Sequence, residues 1–294
     1  MARTAVVSIG MRPRVLSPGR RSLARFVRRR TAVAGGIVSS VFVVMMLLGV
    51  WIAPYSAAAT DYNHTLQLPS LAHLAGTDDF GRDIFSRIVV ATRYSLGMGL
   101  GAVFLGAALG MAWGIASGFY GRAFDNVSMR IVDIMLAFPG ILLAIVVVAI
   151  LGPGLVNVVL AIGVFTIPSF ARLVRAPALA AKAQEYAQAA RALGASDSRI
   201  MARHLLPNVL PSCLVYVTLR IGTAILTASS LSFLGLGVQP PTPEWGAMLA
   251  QSRVFLNVAP HLVIGPGLAI SLAVLGFNLL GDGMRDALDP RLRD

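Results

Sequence analysis

Residues 185–207 read EYAQAARALGASDSRIMARHLLP, and this stretch decides how the chain folds. It is the longest polar, helix-favouring stretch in a chain that is otherwise apolar, and hydrophobic blocks lie on both sides of it. Three basic residues, Arg172, Arg175 and Lys182, come just before it. We interpret the segment as a docking element on the cytoplasmic face of a membrane protein.

Two short helices are predicted within this segment. Tyrosine, leucine and several alanines favour a first helix over residues 184–193, and Gly194 can end it with a positive φ. Ser196 is a good cap for a second helix over residues 197–206, which Pro207 would stop. Small alanines on one face of this helix–turn–helix unit would allow a partner to dock closely.

The composition places the chain in a membrane. Of its 294 residues, 56% are hydrophobic and only 13% are charged, against about 25% charged in soluble domains. The formal charge of +12 comes from 24 arginines and one lysine, which lie mainly in short connections between apolar runs. That placement fits the positive-inside pattern of membrane proteins and not a nucleic-acid surface. Cys213 is the one cysteine, which excludes an intrachain disulfide and argues against a cysteine metal site.

Six apolar segments are long enough to span a bilayer. The first follows a basic tail, residues 1–30, and is too long for the apolar region of a signal peptide. Pro139 and Gly140 predict a kink in the third. The predicted spans cover residues 31–53, 94–119, 127 or 131 to 151, 155–170, 212–234 and 260–280.

The distribution of arginine and lysine predicts the orientation. Segments on the side of the N-terminus carry 20 of these residues, nine of them in residues 1–30, and segments on the other side carry four. Because loops rich in arginine and lysine stay in the cytoplasm, both termini and the polar insertion 172–211 are expected there. Residues 54–93 and 235–259 are expected outside, and residues 94–294 are expected to hold the other five spans.

The outer segment 54–93 contains three aspartates, Asp78, Asp79 and Asp83. They could suggest calcium, but they lack the ligand series and closing glutamate of an EF-hand. Thr77 or Asp78 as the N-cap of a helix is the preferred interpretation. Apolar residues then recur every four positions, at Phe80, Ile84 and Ile88, which predicts an amphipathic helix at a membrane or protein surface.

Glycines mark one face of the second span. Small residues spaced by four let another helix backbone approach closely in lipid, so this span is expected to pack tightly against a neighbour. The predicted packing glycines are Gly97, Gly101, Gly106, Gly110, Gly114 and Gly118, of which the last four are spaced by four.

Arg220 is the charged residue within the fifth span. Such charges are costly and usually face the interior of the bundle. One interpretation is a pathway residue that meets a substrate carboxylate. The others are structural, a partner for Asp133 or snorkelling to the interface. Single histidines such as His64 and His261 give little support for a metal site.

Three motifs together resemble a known family. The run QAA at 188–190, Gly194 and the run HLLP at 204–207 are similar to the EAA motif in permease subunits of bacterial ABC importers. The stretches GTDDFGRDIFSR (76–87) and LSFLGLGVQPPTPEWGAML (231–249) resemble those of "C"-type permeases of dipeptide, oligopeptide and nickel importers. Dipeptide permeases look most similar.

Two residues depart from the EAA pattern. Gln188 stands where the family usually has glutamate, and His204 stands where it usually has isoleucine. Glu185, about one turn before Gln188, could partly replace the missing acid.

The resemblance implies an all-α integral membrane protein with the type I permease fold of ABC importers. It implies a heterodimer with a second permease, two cytoplasmic ATPases and an extracytoplasmic substrate-binding protein. The residues implied in ATPase coupling are Glu185, Gln188, Ala189, Ala190, Arg191, Gly194, Asp197, Arg199, His204, Leu206 and Pro207.

The expected function is import of peptides, dipeptides first, across the bacterial cytoplasmic membrane, with nickel or haem as alternative cargo. No GxxxxGK[ST] sequence occurs, so ATP and magnesium are expected on the partner ATPases, with no enzyme activity, cofactor or metal on this chain. A secondary transporter would leave the docking segment unexplained, and an intramembrane enzyme would need a nucleophile–base pair that the spacing does not support.

Overall fold

The computed structural model describes residues 26–27 and 29–288. Predictions for residues 1–25, 28 and 289–294 lie outside this part of the chain. These residues include seven of the nine tail arginines, such as Arg3, and the C-terminal Arg291 and Arg293. The described residues are helical, apart from connecting segments and one isolated β-bridge between Thr77 and Asp83.

Ten α-helices are numbered here in chain order. The first five are α1 (Arg30–Ile52), α2 (Ile84–Tyr120), α3 (Arg122–Ala137), α4 (Gly140–Leu151) and α5 (Leu155–Lys182). The others are α6 (Glu185–Ala192), α7 (Asp197–Ile200), α8 (Leu206–Phe233), α9 (Trp245–Ser252) and α10 (His261–Leu288). A π-helical segment, Met201–Leu205, joins α7 to α8, and short 3-10 helices lie at Tyr62–His64 and Arg253–Phe255.

Five of the described helical segments are long and apolar enough to cross a membrane: α1, α2, α5, the continuous α7–α8 helix and α10. The third predicted span is instead a pair, α3 and α4, bent by 88°. The break at Phe138–Pro139 confirms the predicted kink, since proline cannot donate the helical hydrogen bond at this point. The predicted six spans therefore count this bent pair as one.

The helices α1 and α10 pack closely through small residues, although they lie at opposite ends of the chain. A Cβ added to Gly35 would lie 2.5 Å from the backbone nitrogen of Leu280. A Cβ added to Gly283 would lie 2.3 Å from the Cβ of Ala32. Arg29 also forms a salt bridge with Asp286. The first and last described helices are thus in backbone-level contact.

The predicted boundary near residue 93 is wrong, because α2 continues through it without a break. Residues 84–93 form the first turns of a 37-residue helix and are mostly buried, so they make no separate amphipathic helix at a surface. One of the two arginines in this stretch, Arg87, is buried beside an aspartate. Arg87 is 3% exposed and lies 3.6 Å from the carboxylate of Asp78.

Asp83 caps α2, whereas Thr77 or Asp78 was predicted to do so. The Asp83 carboxylate accepts a hydrogen bond of 2.7 Å from the backbone N–H of Ser86. Asp78 accepts from the backbone N–H groups of Phe80 and Arg82, each at 2.9 Å. These carboxylates stabilise local structure, and the described residues contain no cluster with the composition of a metal site.

The polar insertion 172–211 is also shorter than predicted. Helix α5 continues to Lys182, so the fourth span and the start of the insertion are one helix. Pro207 does not stop a helix, because the preceding π-helical segment leads directly into α8 and the proline lies in its first turn. The proline lies where the hydrogen-bond pattern changes from π to α, directly after Leu206, whose N–H bonds the carbonyl of Met201.

The predicted outer loop 235–259 contains a helix. Helix α9 begins at Trp245, which is fully buried and donates its indole N–H to the carbonyl of Ile88 at 3.1 Å. Glu244 caps this helix, accepting hydrogen bonds of 2.8 Å from the N–H of Ala247 and from the hydroxyl of Ser95. The segment is therefore tied into the core through α2, where turn-forming residues alone predict only a loop.

Burial raises the pKa of Glu244 above its ordinary value of 4.5. Just above pH 4.5, the folded chain keeps a proton that the unfolded chain releases, so stability falls as pH rises through this window, by up to about 1.4 kcal/mol per pH unit.

We expect Glu244→Gln, which carries no titratable proton, to flatten the pH dependence of thermal unfolding in detergent. Glu244→Leu should cost about 1–3 kcal/mol at every pH, because it leaves two donors unpaired. Parallel pH profiles for the native chain and Glu244→Gln would contradict this role.

Candidate functional site

The candidate coupling site is the turn between α6 and α7. Gly194 has φ +82° and ends α6 in a Schellman arrangement: its N–H bonds the carbonyl of Arg191 and the N–H of Ala195 bonds that of Ala190, each at 3.0 Å. Ser196 holds the N-cap position of α7, but its side chain accepts no capping hydrogen bond. The first short helix and the positive φ of Gly194 agree with the sequence prediction, but the second helix is not short, because it continues from α7 through the π-helical segment into α8.

A small apolar cluster holds this turn against the ends of α2 and α5. Ala187 is 3% exposed, and Ile200 and Leu205 are buried below it. Ile200 and Leu205 belong to one buried cluster with Phe119 of α2 and Val174 of α5. The segment that carries the turn is thus packed against two of the longest helices.

Most of the predicted coupling residues face outward. Glu185, Gln188, Ala189, Arg191, Gly194, Asp197, Arg199 and Pro207 are exposed, whereas Ala190, His204 and Leu206 are half-buried. Leu193, beside the turn, is 88% exposed. A single exposed leucine is common at protein surfaces, so the exposure of Leu193 is compatible with a docking role but does not itself show one.

The two residues that depart from the family pattern make contacts within the chain. Gln188 donates its side-chain amide to the carbonyl of Ala183 at 3.1 Å. The ring of His204 lies 6.1 Å from that of Tyr186, whose hydroxyl accepts a hydrogen bond of 3.0 Å from Asn208. Tyr186 and Asn208 therefore join α6 to the start of α8. Sequence reasoning missed this link, because residues 22 positions apart show no periodic signal.

Basic side chains gather around one buried aromatic ring beside the turn. Lys182 and Arg191 lie 5.5 Å and 5.1 Å from the ring centroid of Phe119, and Lys182 also donates to the Phe119 carbonyl. Arg191 in addition forms a 3.2 Å salt bridge with Asp197 across the turn. Cation–π contacts and this ion pair hold the basic side chains in place beside the turn at Gly194.

The glycine stripe lies between α2 and α5. A Cβ on Gly110 would lie 2.5 Å from the carbonyl oxygen of Ile167, and one on Gly114 would lie 2.4 Å from that of Ala171. Gly106 and Gly118 make similar approaches to α5. Gly101 also faces α5, where an added Cβ would lie 3.3 Å from a side-chain methyl of Val159. Gly97 does not, since it has only the far end of Met46 within 4 Å, at 3.9 Å. The approaches to α5 closer than 3.0 Å therefore begin at Gly106.

Arg220 does not pair with Asp133, contrary to one of the predicted alternatives. Asp133 forms a salt bridge with Arg172 instead. The Arg220 guanidinium donates to the hydroxyls of Tyr216 at 2.8 Å and Ser169 at 2.9 Å. Asp133 lies in α3, before the 88° bend, and sequence spacing could not show the direction of this helix.

Comparison with known proteins identifies the family. Residues 110–294 match the family model described as "binding-protein-dependent transport system inner membrane component". The chain belongs to this family. Residues 17–69 of this permease also match the N-terminal transmembrane domain of oligopeptide transport permease C, which agrees with the "C"-type resemblance. The permease is therefore a subunit of an ABC importer and a multi-pass protein of the bacterial inner membrane, working with ATPase and substrate-binding partners.

Curated relatives extend over nearly the whole permease. It is 50% identical over 280 residues to the glutathione transport system permease protein GsiD of Escherichia coli O1:K1 / APEC, which covers 95% of this chain and 92% of the relative. The same identity and coverage hold for the protein of that name from Shigella boydii serotype 4. The solved structure of the MetNI methionine ABC transporter matches with a TM-score of 0.56 at 20% identity, covering 69% of this chain and 96% of that one. This likeness shows the type I permease fold.

Proposed function

We propose that this permease carries short peptides across the membrane and that it is driven through residues 185–207 by partner ATPases. In this proposal the ATPases bind ATP and magnesium, and a second, homologous permease completes the membrane channel. The N- and C-termini and the turn at Gly194 lie in the cytoplasm, while the segment around α9 faces the binding protein. The charge distribution supports this orientation, because 20 of 25 arginines and lysines lie in segments assigned to the cytoplasm.

Coupling is supported by the exposure of the turn at Gly194, together with the packing of the segment that carries it against α2 and α5. Gly194 and Leu193 project into solvent, while Ile200 and Leu205 fix the same unit to α2 and α5. When ATP brings the two ATPases together, each would pull its docked turn and rock the helices behind it. A self-contained secondary transporter would have no use for this surface.

The observation that supports a peptide cargo is the identity of 50% to permeases named for glutathione transport. Glutathione and dipeptides share a small peptide backbone with free carboxylates. Nickel or haem would need a different ligand chemistry, and no cluster of metal-binding side chains occurs within residues 26–27 and 29–288. We therefore place short peptides first and retain dipeptides as the first substrate to test.

Deleting this chain should lower uptake of a radiolabelled dipeptide or of labelled glutathione at least 10-fold in cells that supply the other subunits. Re-expression should restore uptake, while uptake of nickel and haem should stay unchanged. Both peptide types are assayed side by side, together with a strain that lacks the matching binding protein. Normal peptide uptake in the deletion strain, combined with lost nickel or haem uptake, would overturn the peptide assignment in favour of that cargo.

A further inference from the structure

One face of the spanning helix α8 carries a line of polar side chains. Spacings of four, three, four and three residues keep them on one side of the helix. The first and last are 14 residues apart, which corresponds to about 21 Å along the helix, against about 30 Å for the hydrocarbon core. Thr223 is exposed and the others are half-buried. The members of this polar stripe are Tyr216, Arg220, Thr223, Thr227 and Ser230.

The threonine and serine hydroxyls of the stripe donate hydrogen bonds to backbone carbonyls of the same helix. Thr223 donates to the carbonyl of Arg220 and Thr227 to that of Thr223, each at 2.9 Å. Ser230 does the same with Leu226 at 2.8 Å. A hydroxyl oxygen that donates one bond can still accept others. The stripe therefore offers hydrogen-bond acceptors along an accessible helix face.

Helix α1 provides a comparison within the same protein, because its exposed surface is apolar and suited to lipid. Its large exposed side chains are apolar, among them Ile37, Val41, Val44 and Leu47, which is 64% exposed. Hydrocarbon offers no partner to a hydroxyl or a guanidinium, so polar groups in spanning helices face water or protein. The polar stripe of α8 is thus suited to a hydrated channel and not to lipid.

Arg220 lies in this stripe with its charge uncompensated by any described acid. Its two hydrogen bonds go to neutral hydroxyls, Tyr216 and Ser169, and its guanidinium carbon lies 5.0 Å from the Tyr216 ring centroid. No salt bridge to Arg220 occurs within residues 26–27 and 29–288. These contacts use two of the five N–H groups. The remaining donors and the charge favour an anionic partner that comes from outside this fold.

We propose that the polar stripe forms one wall of the translocation pathway and that Arg220 binds the carboxylate of the peptide in transit. The second half of the proposal rests on the proposed peptide cargo. Every free peptide ends in a carboxylate, and the planar guanidinium matches that group with two parallel hydrogen bonds. Tyr216 and Ser169 act as positioning residues that orient the guanidinium. Because both hydroxyls are neutral, they hold the Arg220 guanidinium without neutralising its positive charge.

Thiol labelling tests the wall without any substrate. Cys213 is the one native cysteine and is buried, so Cys213→Ala gives a chain without thiols. In this background, within the assembled importer, Thr223→Cys and Thr227→Cys should react with a charged, membrane-impermeant methanethiosulfonate. Leu47→Cys on α1 is the matched lipid-facing control. We expect labelling at least 10-fold faster at Thr223→Cys than at Leu47→Cys. Equal rates would overturn the assignment of the wall.

Transport of a dipeptide and of its C-terminal amide, which lacks the carboxylate, tests Arg220. Proteoliposomes with all subunits receive a dipeptide or its C-terminal amide, each at a concentration shown by direct binding to saturate the binding protein. Arg220→Gln should lower dipeptide transport at least 10-fold and amide transport less than about 3-fold, and Arg220→Lys should restore part of the loss. If the binding protein does not bind the amide, protection from thiol labelling is measured instead. Dipeptide should slow the labelling of Thr223→Cys, and Arg220→Gln should remove this protection.

The outcomes distinguish a failure of this proposal from a failure of the proposed peptide cargo. Absence of peptide transport by the unmodified importer would overturn the peptide cargo, while the labelling result for the wall would stand. Equal losses for acid and amide, with a lower yield of complex, would show that Arg220 pairs with an acid of the second permease. Protection that persists in Arg220→Gln would also exclude carboxylate binding by Arg220.

Discussion

Replacing Gly194 with valine is expected to lower transport by about 10- to 100-fold while the chain still inserts and folds. Nothing lies within 4 Å of a Cβ added to Gly194, so the substitution causes no clash. Its effect comes from the backbone, because φ is +82° and a β-branched residue is strained there. Strain of about 1–3 kcal/mol would melt or reshape the Schellman turn, and a shift of 1.4 kcal/mol is tenfold in an equilibrium.

Gly235 provides a matched control for this substitution. It has φ +81°, it also has nothing within 4 Å of an added Cβ, and it lies at the end of the bundle opposite α6. Gly235→Val therefore imposes the same kind of strain far from the proposed docking surface. The measurement is co-purification of the ATPase subunits with the tagged permease, together with transport. We expect loss of co-purification only in Gly194→Val. Equal retention of the ATPases by both variants would show that the turn at Gly194 does not dock them.

Replacing Gly114 with leucine is expected to prevent assembly of the permease. A Cβ at this position would lie 2.4 Å from the carbonyl oxygen of Ala171 and 3.0 Å from the Cβ of Val174. The first of these is backbone, so α2 and α5 would have to separate along their length. Overpacking costs about 1–3 kcal/mol even where side chains can move, and lipid offers no hydrophobic force to hold the helices together. The yield of folded, detergent-extracted complex should fall at least 10-fold.

Gly97→Leu is the matched control on the same helix. Its added side chain would meet only the flexible end of Met46, at 3.9 Å from the Cβ. The exchange has the same effect on helix propensity as Gly114→Leu, so a difference between the variants reports the contact with α5. Yield and monodispersity by size-exclusion chromatography measure the result. If Gly114→Leu assembled as well as Gly97→Leu, the close packing of α2 and α5 would be contradicted.

The sequence predicted the features that depend on local chemistry. Hydropathy located the spanning helices, Pro139 located the sharp bend, and Gly194 located the turn, because each effect arises within a few residues. The spacing of glycines from Gly106 to Gly118 showed which face of α2 packs closely. It could not name α5 as the partner, since the approach depends on the path of the whole chain.

The errors at residues 84–93 and 235–259 share a physical cause: polar residues that suggest an outer segment lie inside the fold. Arg87 is buried because Asp78 lies beside it, so α2 extends through a polar region without a break. Glu244 is buried because Ser95 and the first turn of α9 satisfy its oxygens. Pairing of this kind joins residues up to 149 positions apart and leaves no periodic pattern in either segment.

The contact between α1 and α10 has a consequence for biogenesis. Gly276 of α10, where an added Cβ would lie 2.7 Å from a side-chain methyl of Val38, follows Gly35 of α1 by 241 residues. At about 5–20 residues per second of synthesis, α1 stands in the bilayer for roughly 12–48 s before this partner is made. Closure of the helical bundle therefore waits for the synthesis of α10, and a nascent chain that stops short of α10 leaves α1 open to membrane quality control.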